Sequence, residues 1–297
     1  MQLSVVIITF NEEANIGRTL ESVRPLVADG KGEIIVADSG STDRTVEIAK
    51  SFGAKVFVEE WKGFAAQKNS AIGKTTGKWI LSLDADEELE PSLVEELLFL
   101  FAGQPIADDV KARFERVKAL TYLWTRQTRK QMRSMMKAQG NPDSFFIEMT
   151  GYWVSRKNLF LGRWMKHGGF WPDRKLRLFQ KGAATFEARL VHEDARLQQG
   201  VSGQLRAALI HHSYPTLSDY IEHMNRYSSL GAEMVIAEGK VRFSFINIVL
   251  RPLFTFTYNY FFRLGFLDGR EGLLLHLYHS VYVSWKYAKA WEIKNRQ

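Results

Sequence analysis

Acidic and small polar side chains stand at the points where apolar runs stop, in three places near the N-terminus. Thr9-Phe10-Asn11-Glu12 follows the β-branched run beginning at Leu3. Asp38-Ser39-Gly40-Ser41-Thr42-Asp43 follows Glu33–Ala37, and Asp84-Ala85-Asp86-Glu87 follows Lys78–Leu83. In extended chain, residues i and i+2 point the same way, so Asp84 and Asp86 together could face one divalent cation. Hard Mg²⁺ or Mn²⁺ suits oxygen ligands, and such an ion commonly binds through one or two carboxylates plus a substrate pyrophosphate. Asp43 is accounted for by helix capping. Asp38 is less so, because it ends an apolar strand and could accept from a base N–H.

The elements that must position these groups alternate. Leu3–Thr9, Glu33–Ala37, Lys55–Val58 and Lys78–Leu83 read as strands. Helices are expected after Asn11 as N-cap, after Thr42 or Asp43, over Ala65–Ile72, and from Pro91 to Leu100. Near-continuous apolar strands alternating with helices predict an α/β fold, with a mostly parallel sheet covered on both faces. In such a sheet ligands bind beyond the carboxyl ends of the strands, where all three clusters would meet.

Other signals bound the function class. The 297 residues carry a net charge of +7, which favours anionic partners, and they contain no cysteine, which excludes disulfides and cysteine chemistry. The start of the chain lacks a basic n-region and cleavage site, so no signal peptide is expected. Gly73-Lys74-Thr75 lacks the earlier glycine of a phosphate loop. His192-Glu193 lacks the second histidine of a zinc-protease helix, and no Gly-x-Gly-x-x-Gly follows the first strand.

In order and spacing, the motifs Ser4–Glu12, Asp38–Asp43 and Leu83–Glu87 resemble those of family 2 glycosyltransferases of the GT-A fold. The segments Gly63–Asn69, Leu161-Gly162-Arg163-Trp164, Val191-His192-Glu193 and Leu267-Asp268-Gly269-Arg270 resemble the bacterial lipopolysaccharide-core β-glucosyltransferases among them. The resemblance implies an inverting transfer from a UDP-sugar, UDP-glucose above all, to a glycan or lipid-linked acceptor such as lipopolysaccharide core. It implies that Thr9 and Glu12 line the nucleotide pocket, Asp38 reads the uracil ring, Lys68 lies near the donor, Asp84 contacts ribose or sugar, and Asp86 binds Mg²⁺ or Mn²⁺. An inverting displacement needs one carboxylate to take the acceptor proton. Glu193 is the candidate, with Asp194 and Asp173 as alternatives. His192 could touch metal or phosphate. Trp171 offers a face to a sugar or packs in a core. Arg177 could pair an anionic acceptor group or the diphosphate, or simply point outward from a strand. A polyprenyl-phosphate or other cell-envelope acceptor is the alternative. A metal-dependent nucleotidyltransferase should show a basic, glycine-rich loop where Asn11-Glu12-Glu13 stands.

Four regions are expected: 1–105 for the nucleotide-sugar half, 106–142 as a basic helical insertion, 143–215 for the acceptor half, and 216–297 as C-terminal helices. In the last, Ile246, Val249, Leu250, Leu253, Phe254, Phe261 and Leu264 form a broad apolar stripe punctuated by arginine. That suits a helix lying on an anionic membrane surface, here the cytoplasmic face of an inner membrane, and equally a packed core. The acidic rim would repel a phosphate backbone, so nucleic acid is not an expected partner.

Overall fold

The computed structural model describes residues 2–101, 149–187, 194–239, 241 and 243–296. The expected basic insertion, His192 and Glu193 lie outside the described residues. The chain divides into two compact units: 1–155, 174–188 and 193–209 form the first, and 156–173, 189–192 and 210–297 the second. This division cuts through the expected 143–215 region.

The first unit is built on β1 (Leu3–Thr9), all seven of whose residues are buried. It lies between β2 (Gly32–Asp38) and β4 (Trp79–Asp84), parallel to both, and β3 (Lys55–Val58) extends the parallel set beyond β2. The strand order is β3-β2-β1-β4-β8-β6-β11-β5, with β8 (Asp173–Gln180) antiparallel to β4. β6 (Met149–Phe160) and β11 (Val201–Tyr214) are long enough to run from the first unit into the second. The short β5 (Glu87–Leu89) was not legible in the sequence, because adjacent glutamates are poor strand formers. β7 (Arg163–Trp164) pairs with β6, and β9 (Ala184–Phe186) pairs with β10 (Ala195–Leu197).

Period-two alternation sorts the core into two layers. Val5 and Ile7 pack with Ile34, Val36, Leu81 and Leu83 under α1 (Ile16–Val27) and α4 (Pro91–Phe101). Val6 and Ile8 pack on the other side with Ile35, Ala37, Ile80 and Ala65 of α3 (Phe64–Gly73). The α/β class is thus observed, with the parallel strands β3-β2-β1-β4 covered on both faces. α1 buries Ile16, Leu20 and Val23, the spacing of one helical face. It starts later than Asn11, which takes a left-handed backbone instead, while α2 (Thr45–Ser51) starts after Asp43 as expected, with Thr45 N donating to Asp43 Oδ1 (3.0 Å).

In the second unit, α5 (Leu217–Ala237) opens with a capping box in which Thr216 and Asp219 bond reciprocally. α6 (Arg251–Thr257) is flanked by π-helical turns at Ile246–Leu250 and Tyr258–Phe262, and α7 (Gly269–Arg296) follows. Phe160, Met165, Tyr220, Met224 and Leu275 form this unit's main core. Among the described residues no helix is long and apolar enough to cross a membrane.

One buried acid ties three strands of the first unit. Glu33 accepts from Ser4 Oγ (2.8 Å), from Thr76 N (2.6 Å) and from Lys55 Nζ (2.8 Å). Burial pushes its carboxyl up, but the bonds from Lys55, Thr76 and Ser4 outweigh this and hold it at about 2. A carboxylate with a depressed folded-state pKa stabilises above its unfolded pKa, and that stability is lost as pH falls through the folded value. Glu33→Gln should therefore cost about 2–3 kcal/mol near neutral pH. The deficit against the native chain should shrink as pH falls from about 4.5 towards about 2. Urea unfolding followed by circular dichroism checks this, and a pH-independent deficit would contradict it.

Candidate active site

The parallel register puts the three acidic segments at one rim of the first unit. Thr9 stands opposite Asp38 across the β1–β2 pair, and Ile8 stands opposite Asp84 across β1–β4. Two loops at this rim are stitched together. Asn11 N donates to Ser41 Oγ (2.8 Å), Glu12 N to Thr45 Oγ1 (2.7 Å), and Glu13 N to Asp43 Oδ2 (3.1 Å). In return Thr42 N donates to Asn11 Oδ1 (2.9 Å) and Arg44 N to Glu13 Oε2 (3.1 Å). The left-handed turn at Asn11 (φ 53°) lets its side chain meet Thr42. Burial opposes ionisation of Asp43, yet hydrogen bonds from Thr45 and from backbone N–H groups pull its carboxyl down.

Asp38 is fully buried. Its Oδ1 accepts from Gly40 N (3.0 Å) and Ser41 N (2.8 Å), while Oδ2 accepts from Thr9 Oγ1 (2.9 Å) and Ser41 Oγ. This carboxylate, expected to read a base, organises the β2–α2 turn. A base N–H would have to take the place of one of these donors, most simply the Ser41 hydroxyl.

Asp84 is half-buried between two cations. Lys68 Nζ lies 2.8 Å from Oδ1, and Arg177 Nη2 donates to Oδ2 at 2.6 Å. Arg177 also donates to Glu87 of β5, and Glu87 Oε2 accepts the Asp84 N–H (3.0 Å). Lys68 is only 2% exposed, and its ammonium sits 5.2 Å from the Phe186 ring centroid. Lys68 is thus a buried partner of Asp84. Arg177, expected at an acceptor or diphosphate, is instead enclosed within the first unit, since the four consecutive residues Leu176–Phe179 of β8 are all buried. Burial pulls its pKa down, but Asp84 and Glu87 more than offset this and raise it.

The chain turns at Ala85 and Asp86, so the expected extended alternation of Asp84 and Asp86 does not hold. Ala85 is pinned by Thr19, whose Oγ1 donates to Ala85 O at 2.6 Å. Asp86 is half-buried at the rim. The Glu12 carboxyl reports its surroundings: burial raises its pKa, a bond from Asn15 works against this, and Asp86, Asp43 and Asp84 raise it further. The rim thus carries excess negative charge and hard oxygen donors. Asp84 is engaged by Lys68 and Arg177, and Asp86 follows it two residues on at the same rim. Among the described residues no three acids or histidines form a ready-made cage.

The remaining expected residues are placed separately. In the first unit Lys175 Nζ lies 2.9 Å from Asp194 Oδ1. In the second, Asp173 Oδ2 accepts from Arg156 Nε (2.9 Å) and Nη2 (2.6 Å). Trp171 packs edge-on against Trp164, 5.0 Å between centroids. Sequence reasoning missed Glu87 and the role of Thr19. The only signal for Glu87 was its place at the end of the Asp84–Glu87 acidic cluster.

A family model described as glycosyl transferase family 2 matches residues 4–162, more than half of the chain. The chain belongs to that family. Its relatives include an uncharacterized glycosyltransferase of Rickettsia typhi, 28% identical over 92% of this chain and 81% of that one. The lipopolysaccharide core biosynthesis glycosyltransferase LpsC of Rhizobium meliloti is 26% identical over 91% of this chain and 82% of its own length. Among solved structures, glucosyl-3-phosphoglycerate synthase from Mycobacterium tuberculosis, in complex with Mn²⁺, UDP and glucosyl-3-phosphoglycerate, is 33% identical. That likeness covers 35% of this chain and 40% of the other, with a TM-score of 0.30.

In this glycosyltransferase the buried charges depend on one another, and removing one partner of a buried pair strands the other. Arg177→Met should cost about 3–5 kcal/mol of stability, with Arg177→Lys recovering part of it. Thermal unfolding read by circular dichroism decides, and an unchanged midpoint in Arg177→Met would show that the pair carries no stability.

Proposed function

We propose that this family 2 glycosyltransferase is an inverting enzyme. It moves a sugar, glucose in the simplest reading, from a UDP donor to a glycan or lipid-linked acceptor such as lipopolysaccharide core. The observation that carries the donor half is the meeting of Thr9, Glu12, Asp38, Asp84 and Asp86 at one rim of the sheet. For the acceptor, support comes from the likeness to LpsC along most of both chains.

Asp86 would hold Mg²⁺ or Mn²⁺ there, and the bound ion would supply positive charge against the charge developing on the leaving diphosphate. Asp84, fixed by Lys68 and Arg177, faces a ribose or sugar hydroxyl as an oriented acceptor. Thr9 and Glu12 line the nucleotide pocket, while Asp38 holds the loop that covers the base and exchanges a bond with it. Glu193 takes the proton of the attacking acceptor hydroxyl, which forms the new glycosidic bond as the bond to the diphosphate breaks. Asp173 and Asp194 are weaker candidates because each already faces a cation. A polyprenyl-phosphate or other cell-envelope acceptor is the second reading, favoured by the exposed apolar face of the C-terminal helices.

UDP with Mn²⁺ should raise the melting temperature, and EDTA should cancel the shift, because a ligand that binds only the folded state stabilises it. Asp86→Ala should lose both that shift and transfer. A metal-independent shift that survives in Asp86→Ala would remove Asp86 from the site. Glu193→Gln should lower turnover by at least about a hundredfold while the UDP-dependent shift persists. Near-native turnover in that variant would move the base elsewhere.

A further inference from the structure

We propose that the exposed apolar face running from Phe245 to Leu267 docks on an anionic lipid bilayer. Residues Ile246, Val249, Leu250, Leu253 and Phe254, continued by Tyr258, Phe261 and Phe262, recur at intervals of three and four, the spacing of one helical stripe. In a water-soluble helix such a stripe is buried. Here it faces outward: Phe254 is 69% and Phe262 75% exposed. Most of the exposed large apolar side chains among the described residues fall in this C-terminal region. An exposed patch of this kind marks an interaction surface.

The opposite side of the same helix is already occupied within the second unit. Pro252 is buried, Ser284 Oγ donates to Ile248 O (3.0 Å), and the Arg251 guanidinium donates to the Tyr287 hydroxyl, so α6 lies on α7. The outward rings stack at i, i+4: Phe254 on Tyr258 at 5.8 Å and Tyr258 on Phe262 at 6.4 Å. Phenylalanine and tyrosine mixed in this way fit the boundary between headgroups and acyl chains.

Charge selects the occupant. Among the described residues 243–267, Arg251 and Arg263 are exposed and there is no acid. A second copy of the chain would bring this surface against itself, setting arginines against arginines with no acid on the segment to pair them. An anionic lipid surface supplies the missing charge and accepts the apolar stripe together.

The face is also tied to the aromatic loop. Gly168 N donates to Arg263 O (2.9 Å). Gly169 takes the left-handed backbone that favours glycine (φ 94°), and the Arg263 guanidinium lies against it. The chain leads from there to Trp171. Docking would hold this loop next to the headgroups. That the acceptor is itself lipid-linked rests on the proposed function, whereas docking does not.

Flotation of the full chain with vesicles of phosphatidylcholine, alone or mixed with phosphatidylglycerol, tests the proposal. The native chain should float with the mixed vesicles and only weakly with phosphatidylcholine alone. The double variant Phe254→Glu, Phe262→Glu should lose at least about tenfold in partitioning. Its circular dichroism and its UDP–Mn²⁺ melting shift should stay native. The proposal is overturned if the native chain stays in the soluble fraction or if the variant floats equally well. It is also overturned if light scattering shows a native dimer that the variant abolishes. Flotation without any UDP–Mn²⁺ shift would support docking and sink the donor assignment instead.

Discussion

The parallel pairing of β1 with β2 on one side and β4 on the other is the constraint from which the acidic rim follows. Parallel neighbours end at the same edge, so the segments after these three strands must gather there whatever their sequences. The register makes this specific, bringing Thr9 beside Asp38 and Ile8 beside Asp84. Shifting a strand by one residue would exchange its two buried faces, and both faces of β1 are packed, so the register has little freedom. Glu33 locks the other end of the same strands through Ser4, Thr76 and Lys55.

On that frame the rim divides its acids between structure and chemistry. Asp38 and Asp43 are largely consumed in holding loops, each accepting from backbone N–H groups and hydroxyls. Asp84 is shared by Lys68 and Arg177, and Glu87 balances the second of these cations. Two cations and two carboxylates in a buried cluster neutralise one another, which is how an arginine is tolerated in the middle of a sheet. The net negative charge left over is felt at Glu12, whose carboxyl is held above its ordinary range by burial and by Asp86, Asp43 and Asp84.

The second unit solves a different problem. Its core of Phe160, Met165, Tyr220, Met224 and Leu275 is small, and much of its remaining apolar surface is turned outward. The segments Leu161–Trp164 and Leu267–Arg270 come together there. Arg163 Nη1 lies 3.5 Å from Glu271, and buried Asp268 accepts from His167 N (2.8 Å) and pairs with its ring at 2.8 Å. These segments thus serve first to fix the turn between the apolar stripe and α7. That turn places Arg263 against the Gly168-Gly169 backbone and Phe170 against the His276 ring, 5.8 Å between centroids. His276 is buried, and its imidazole is pushed down to about 4, first by desolvation, so it packs as a neutral ring.

The strands, the helices and the meeting of acids at one edge were legible in the sequence, because alternation, helical spacing and strand-end chemistry are local patterns. The family motifs around Asp38 and Asp84 were legible for the same reason. Partner choice was not. Arg177 reads from its strand as either inward or outward, and only β5 and β4 beside it decide that it is a buried counter-ion to Asp84 and Glu87. Lys68 looks like any helical lysine until β4 and Phe186 enclose it. The stripe from Ile246 to Phe262 fits a core helix and a surface helix equally well, since periodicity reports that a helix has an apolar side and not what covers it. That α7 takes the other side and leaves the rings exposed is a fact of tertiary packing, set by contacts between residues far apart in the chain.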